Sequence, residues 1–291
     1  MARVHPAVCF GYFCVVILLT VFQSHPFCLG ISLIGAISYL GTLRTERLGQ
    51  TLFWLLPTTL AAALINPAFN HRGATILGYL PGGNPLTLES ILYGLAAASM
   101  LAALLLWSLC YRRVMTAEKF IFLFGRVAPS LSLLFSVAMA FVPRFAARMG
   151  EVARARRGLC GGESKGTLAD RAKEGLKVLS ATVTWALEGA IITADSMKSR
   201  GYGLPGRTAF ALYRFDRRDG ALLALVLGLS AYVAVGMSAG IMRFVWFPAV
   251  KGNTLSLYGG SVYGAYLALC LLPAVLEGRE RRLWKRLQSK I

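Results

Sequence analysis

Charge is scarce in this chain and acidic charge scarcer still: 15 % of the 291 residues are charged, with 13 acidic against 31 basic side chains. A soluble domain of this length averages about 25 % charged residues. That deficit, with 56 % hydrophobic residues and long uncharged runs, excludes an ordinary soluble globule and predicts a membrane protein. Ligand-type residues are sparse too. His5 precedes the first apolar run, His25 sits in a short turn and His71 in a loop, and none is assigned a role. The cysteines (Cys9, Cys14, Cys28, Cys110, Cys160 and Cys270) show no CxxC or CxxH spacing. All but Cys160 lie in apolar runs, where cysteine behaves as a small hydrophobe, so neither a disulfide framework nor a metal site is expected. No G-x-x-x-x-G-K-[ST] is present, so the chain carries no nucleotide-binding loop. The stretch from Gly161 to Thr167 has the wrong spacing for one and no strand before it, and reads as a flexible turn. A serine–histidine–aspartate set, a paired-carboxylate motif and a metal-ligand cluster are all missing, which predicts a non-catalytic chain without a cofactor. The apolar runs hold almost no charge, whereas an ion pathway would display it there, so a self-powered transporter is disfavoured.

What is present is a series of spans. The run from Pro6 to Leu43 is too long for one crossing, which takes about 20 residues. Ser24-His25-Pro26 divides it into a hairpin, giving spans Pro6–Phe22 and Phe27–Leu43. Arg44, Glu46 and Arg47 make a short loop. A third span covers Thr51–Ile65, the Gly-, Pro- and Asn-rich stretch from Asn66 to Ser90 is a loop, and a fourth span covers Ile91–Tyr111. Spans five and six fall near Ala221–Ile241 and Gly259–Leu276. Residues 1–111 thus form the N-terminal membrane part, 112–219 a charged segment, and 220–291 the C-terminal spans with a basic tail. The chain runs from Arg3 straight into its first span, so no cleavable signal is expected.

Six crossings place both termini on one side. With the termini cytoplasmic, only Arg72, Arg243 and Lys251 of the 31 basic residues fall outside. This asymmetry sets the orientation, in a cell membrane with both termini inside. It also accounts for the net charge of +18 without nucleic acid as a partner. The fold class expected is all-α: a polytopic bundle of about six spans with long cytoplasmic helices. The apolar segment Phe120–Val142, interrupted by Arg126 and Pro129 and followed by Pro143, is expected to lie at the cytoplasmic surface or to insert partly. Gly236 and Gly240, like Gly260 and Gly264, have the spacing that lets helix backbones approach. They serve ordinary packing in the bundle or a specific partner surface.

Within 112–219 two helices are expected. The first covers Pro143–Arg157. The second starts after Thr167-Leu168-Ala169-Asp170, a capping-box pattern, and runs to Arg200. Its middle, Val178 to Ala194, is uncharged except for Glu188 and must pack against other helices or the bilayer surface. Both end alike, in Arg156-Arg157-Gly158 and Ser199-Arg200-Gly201. Glycine at C′ takes the left-handed conformation cheaply, and a cation complements the negative helix end. This is sound helix-stop chemistry. Two such ends on one cytoplasmic segment also present planar, permanently charged groups to carboxylates or carbonyls of a partner.

Four stretches in order carry a family resemblance: Asn66-Pro67-Ala68-Phe69-Asn70-His71-Arg72-Gly73; Gly83-Asn84-Pro85-Leu86-Thr87-Leu88-Glu89-Ser90 continuing to Tyr93-Gly94; Ala153-Arg154-Ala155-Arg156-Arg157-Gly158; and Ala194 to Gly203. On this topology the chain resembles the transmembrane T component of energy-coupling factor (ECF) transporters, over most of its length. The family's coupling motifs typically read Ala-Arg-Gly or Ala-Arg-Ser; here arginine is kept in both and the preceding alanine replaced. The resemblance implies a scaffold of an ABC-type importer of vitamins or metal ions, non-catalytic itself. Its partners would be two cytoplasmic ATPase subunits, which receive the tips at Ala153, Arg156, Arg157 and Gly158 and at Ser199, Arg200 and Gly201. A substrate-binding S component and membrane lipid complete the set. A membrane enzyme binding a phosphorylated lipid or nucleotide through its arginines, and an anchor recruiting partners to anionic lipid, are the alternative readings.

Overall fold

The computed structural model describes residues 4–43, 48–79, 84–125, 129–159, 167–204, 213–248, 250–252 and 256–288. The expected loop of Arg44, Glu46 and Arg47, Gly83, Arg126, Cys160 and the glycine-rich turn as far as residue 166 lie outside the described residues.

The first two helices open with the same chemistry. α1 (Pro6–Phe22) and α2 (Pro26–Thr42) each begin His-Pro. The proline stands in the first turn, where its missing N–H costs nothing. The Nδ1 of His5 accepts the Ala7 N–H, and that of His25 the Phe27 N–H, both at 3.3 Å. Two histidines to which sequence reasoning assigned no role are therefore N-caps. Burial lowers the pKa of His25 below its ordinary value, which keeps the ring neutral and able to accept.

α3 (Leu48–Phe69) runs past the expected end at Ile65 and carries Pro57 and Pro67 within it. The stretch expected to be a loop contains an antiparallel ribbon, β1 (Ile76–Tyr79) on β2 (Pro85–Thr87), which leads directly into α4 (Leu88–Val114). Then follow α5 (Ala117–Gly125), α6 (Pro129–Leu159), α7 (Leu168–Ser199), α8 (Arg217–Ser238), a two-residue ribbon β3 (Phe244–Val245) on β4 (Lys251–Gly252), and α9 (Leu257–Gln288). Among the described residues the ribbons are the only departure from an all-α chain.

The chain divides into two compact units, Met1–Ala117 with Tyr213–Ile291, and Glu118–Leu212. In the first, α2 packs on α4 and α9, α3 on α4, α8 on α9, and α1 on both α4 and α8. α1 sits deepest: Val8, Cys9, Tyr12, Phe13 and Val16 are buried along one helical stripe. Its aromatic rings meet Trp107 edge-on. Hydroxyls tie this apolar core together. Ser32 of α2 accepts the Trp107 indole N–H at 3.0 Å and shares a hydrogen bond with Thr20 of α1 at 3.0 Å. Thr20 also meets the Tyr266 hydroxyl of α9 at 3.2 Å, and Tyr12 donates to the Leu269 carbonyl at 3.0 Å. Bonds between helices replace the water that such groups cannot reach inside a membrane.

Among the described residues five helices are long and apolar enough to cross a membrane: α4, α6 from Ser130, α7, α8 and α9. α1, α2 and the Phe53–Phe69 part of α3 are shorter apolar helices. The chain is thus a predominantly helical membrane protein. Two expectations change. By length and composition α6 and α7 join the candidate spans, although both fall in the segment expected to be cytoplasmic, with only Phe120–Val142 lying at the surface or partly inserted. α6 also starts not at Pro143 but at Pro129, because the apolar run before Pro143 and the basic run after it join in one helix. An interior proline removes one backbone hydrogen bond, at about 3 kcal/mol, and the remaining turns of a 31-residue helix carry that cost.

The glycines are sorted by their surroundings. A Cβ on Gly236 would lie 2.7 Å from Val262, so α8 and α9 do approach closely there. Gly240 instead ends α8: with φ +75°, it donates to the Met237 carbonyl, and Ile241 donates to that of Gly236. This is a Schellman stop rather than a packing position. Gly260 and Gly264 meet nothing within 4 Å among the described residues, so no helix packs against them. Sequence spacing missed the closer approaches at Gly35, where a Cβ would lie 2.6 Å from the Cys270 Cβ, and at Gly94, where one would lie 2.5 Å from the Ala63 carbonyl oxygen.

Candidate coupling surface

The first two resembling stretches fold onto each other in the membrane unit. The Asn66 amide donates to the Ser90 carbonyl at 2.8 Å, Ser90 Oγ donates to the Asn70 carbonyl at 2.5 Å, and Thr87 Oγ1 to the Arg72 carbonyl at 3.0 Å. Glu89, 3 % exposed, accepts the Thr75 N–H at 3.2 Å and the Thr75 hydroxyl. A buried carboxylate persists only when its oxygens are so engaged. Gly73 leaves the space: a Cβ there would stand 2.5 Å from Glu89 Oε2 and 2.7 Å from Thr87. The result is a knot that locks the end of α3 to the start of α4. Replacing Gly73 by alanine is expected to destabilise the protein by about 1–3 kcal/mol, read as a fall in unfolding temperature in detergent.

The arginine-bearing stretches lie in the second unit, on α6 and α7. Thr167 caps α7 as its sequence predicts: its N–H and hydroxyl donate to Asp170 Oδ2 at 3.1 and 2.9 Å. Along the pair, Phe141 stacks on Trp185, the Arg148 guanidinium lies 5.6 Å from the Trp185 ring centroid, and Arg156 pairs with Glu174 at 3.1 Å. Residue numbers rise on α6 as they fall on α7, so the helices run antiparallel.

This geometry separates arginines that sequence alone treats alike. Arg156 is half-buried and held by Glu174, which also binds Lys177 at 2.8 Å; it braces the pair. Arg157, its neighbour, is exposed and makes no hydrogen bond or ion pair among the described residues. Arg200 is equally exposed and unpaired, at the C-cap of α7. There the expected stop chemistry is present: Gly201 has φ +81° and donates to the Lys198 carbonyl at 3.0 Å, while Tyr202 donates to that of Met197 at 3.0 Å. Ser199 turns its hydroxyl back to the Ser196 carbonyl. The other end differs from expectation. Gly158 continues the helix instead of stopping it, and α6 extends to Leu159, because a helical φ suits glycine as well as the left-handed one. Ala153 lies half-buried one turn before Arg157.

Because the helices are antiparallel, their C-terminal ends point in opposite directions. Arg156 is level with Glu174, and from there to Arg200 a helix rising 1.5 Å per residue spans about 40 Å. The structure therefore does not bring the two tips together; it sets them at opposite ends of one rod. Between them α7 exposes Leu176, Leu179, Val183, Leu187 and Ile191, a stripe at helical spacing. Among the described residues no group of three or more His, Cys, Asp or Glu could hold a metal ion. No protein-family model matches the chain, and no curated protein matches it.

Proposed function

We propose that the chain is the transmembrane T component of an energy-coupling factor importer, which passes ATP-driven movement of two cytoplasmic ATPases to an S component that carries a vitamin or metal ion. The observation that carries this reading is the pair of exposed arginines, Arg157 and Arg200, that have no ion pair among the described residues and stand at the two ends of one antiparallel helix rod. A separation of about 40 Å suits two separate protein partners and is far too wide for one small ligand. Each guanidinium stands at a helix C-terminus and offers a forked donor to carboxylates or carbonyls of a groove.

Charge distribution supports a rod lying along the cytoplasmic surface in preference to two crossings. Arg154, Arg156, Arg157, Arg171, Lys173 and Lys177 gather at one end of the pair, and Lys198 and Arg200 mark the other. Positive-inside bias keeps both basic ends on the same side. The stripe from Leu176 to Ile191 then faces apolar lipid or a membrane partner. ATP binding closes the ATPases, the docked tips move together, and the rod passes that motion through its covalent connections to the membrane helices, reorienting the S component.

Single cysteines at positions 157 and 200, in a cysteine-depleted background, test the arrangement in oriented vesicles. Both are expected to react with a membrane-impermeant maleimide only from the cytoplasmic face, and to cross-link to co-expressed ABC-type ATPases. Labelling of the two positions from opposite faces would mean that the rod crosses the bilayer, and the reading would fall.

A further inference from the structure

The C-terminal part of α9 holds a feature that the coupling reading does not use. Its apolar run ends at Leu276, and Glu277, Arg279, Glu280, Arg281, Arg282 and Arg286 follow. Arg281 is engaged by Glu277 at 3.9 Å. Arg279 and Arg282 are exposed and make no ion pair or hydrogen bond among the described residues. They border a recess of about 310 Å³ whose remaining lining is Ala274, Val275 and Gly278. These five positions (i, i+1, i+4, i+5, i+8) form one stripe of the helix. Gly278 opens it, since a Cβ there would meet nothing within 4 Å, and Val275 is 56 % exposed.

We infer that this stripe is a binding site for an anionic phospholipid. The two guanidiniums, one turn apart, would clamp the phosphate by charge-assisted, forked hydrogen bonds. An acyl chain would lie in the recess over Gly278 and along Ala274 and Val275. The apolar floor selects a lipid over free phosphate, because a bare anion gains nothing from alanine and valine. The position selects it too: the stripe straddles the point where a membrane-length apolar run turns basic, which is headgroup depth. This inference needs only the membrane setting and is independent of any ATPase partner.

Native mass spectrometry of the full chain in detergent, titrated with phosphatidylglycerol, phosphatidylcholine or inorganic phosphate, provides the test. A tight phosphatidylglycerol adduct is expected, with phosphatidylcholine and inorganic phosphate bound far more weakly. R279Q/R282Q is expected to weaken that adduct about thirtyfold, each arginine near an anionic surface contributing about fivefold. R112Q/R113Q, at the end of α4, is expected to leave it unchanged. Gly278→Leu fills the recess without touching charge, and is expected to weaken the adduct as well, with the unfolding temperature preserved. The inference is overturned if the adduct survives R279Q/R282Q or Gly278→Leu, or if R112Q/R113Q loses it equally. Equal binding of phosphatidylcholine, or of inorganic phosphate alone, overturns it too.

Discussion

Glutamate in place of both Arg157 and Arg200 is expected to abolish co-purification of the ATPases and ATP-driven uptake, while the helical signal and unfolding temperature of the chain stay where they are. Both side chains are exposed and make no ion pair among the described residues, so the described packing does not depend on them. In a groove, by contrast, removing one partner of a hydrogen-bonded charge pair costs about 2–5 kcal/mol, or about thirtyfold at the least for each tip. Reversal adds repulsion against the carboxylates that would receive the guanidinium. Arg156→Gln is the informative companion. It loosens the brace to Glu174 within the rod, so it should shift local hydrogen exchange in α6 and α7 yet leave ATPase recovery nearly intact. A complex that forms normally and transports fully with both tips reversed would refute the proposed function.

The second large effect concerns packing. Gly35→Val is expected to destabilise the membrane unit by about 2–3 kcal/mol, measured as a loss of unfolding temperature in detergent. A Cβ at position 35 would sit 2.6 Å from the Cys270 Cβ and 3.2 Å from its carbonyl oxygen, a distance at which α2 and α9 must separate. Gly264→Val, which adds the same isopropyl group to an open face, should change stability by no more than about 0.5 kcal/mol. Equal losses at both positions would show that the glycines act through helix propensity and not through close approach.

That pair of substitutions marks where sequence reasoning reaches and where it stops. Apolar runs announce helices α1 to α4, α8 and α9, because burial in lipid or protein demands them whatever the neighbours are. The Thr167–Asp170 cap and the Gly201 stop are equally local, each closed within a few neighbouring residues. Contact is another matter. Gly236 and Gly240 have the same spacing as Gly260 and Gly264, yet only Gly236 meets another helix, since which face turns inward is decided by elements far along the chain. The start of α6 was hidden because Pro143 is a strong local signal that a long helix can override. Arg156 and Arg157 are adjacent and chemically identical; only the position of Glu174, on the next helix, makes one a brace and the other a free tip. The knot of Asn66, Thr75, Glu89 and Ser90 was invisible for the same reason, since its partners lie up to 24 positions apart in the chain.

The hydroxyl network around Ser32 bears on how the protein is made. α1 leaves the ribosome well before α9, yet its Thr20 and Tyr12 find partners there: the Tyr266 hydroxyl and the Leu269 carbonyl. Its buried stripe is likewise covered by α4 and α8, which are synthesised later. Until α9 is made, the bond between Thr20 and Ser32 of α2 is one link of this network that α1 can already form. A chain truncated ahead of Leu257 leaves the Tyr12 hydroxyl of α1 without the Leu269 carbonyl, while Thr20 keeps its bonds to the Val16 carbonyl and to Ser32.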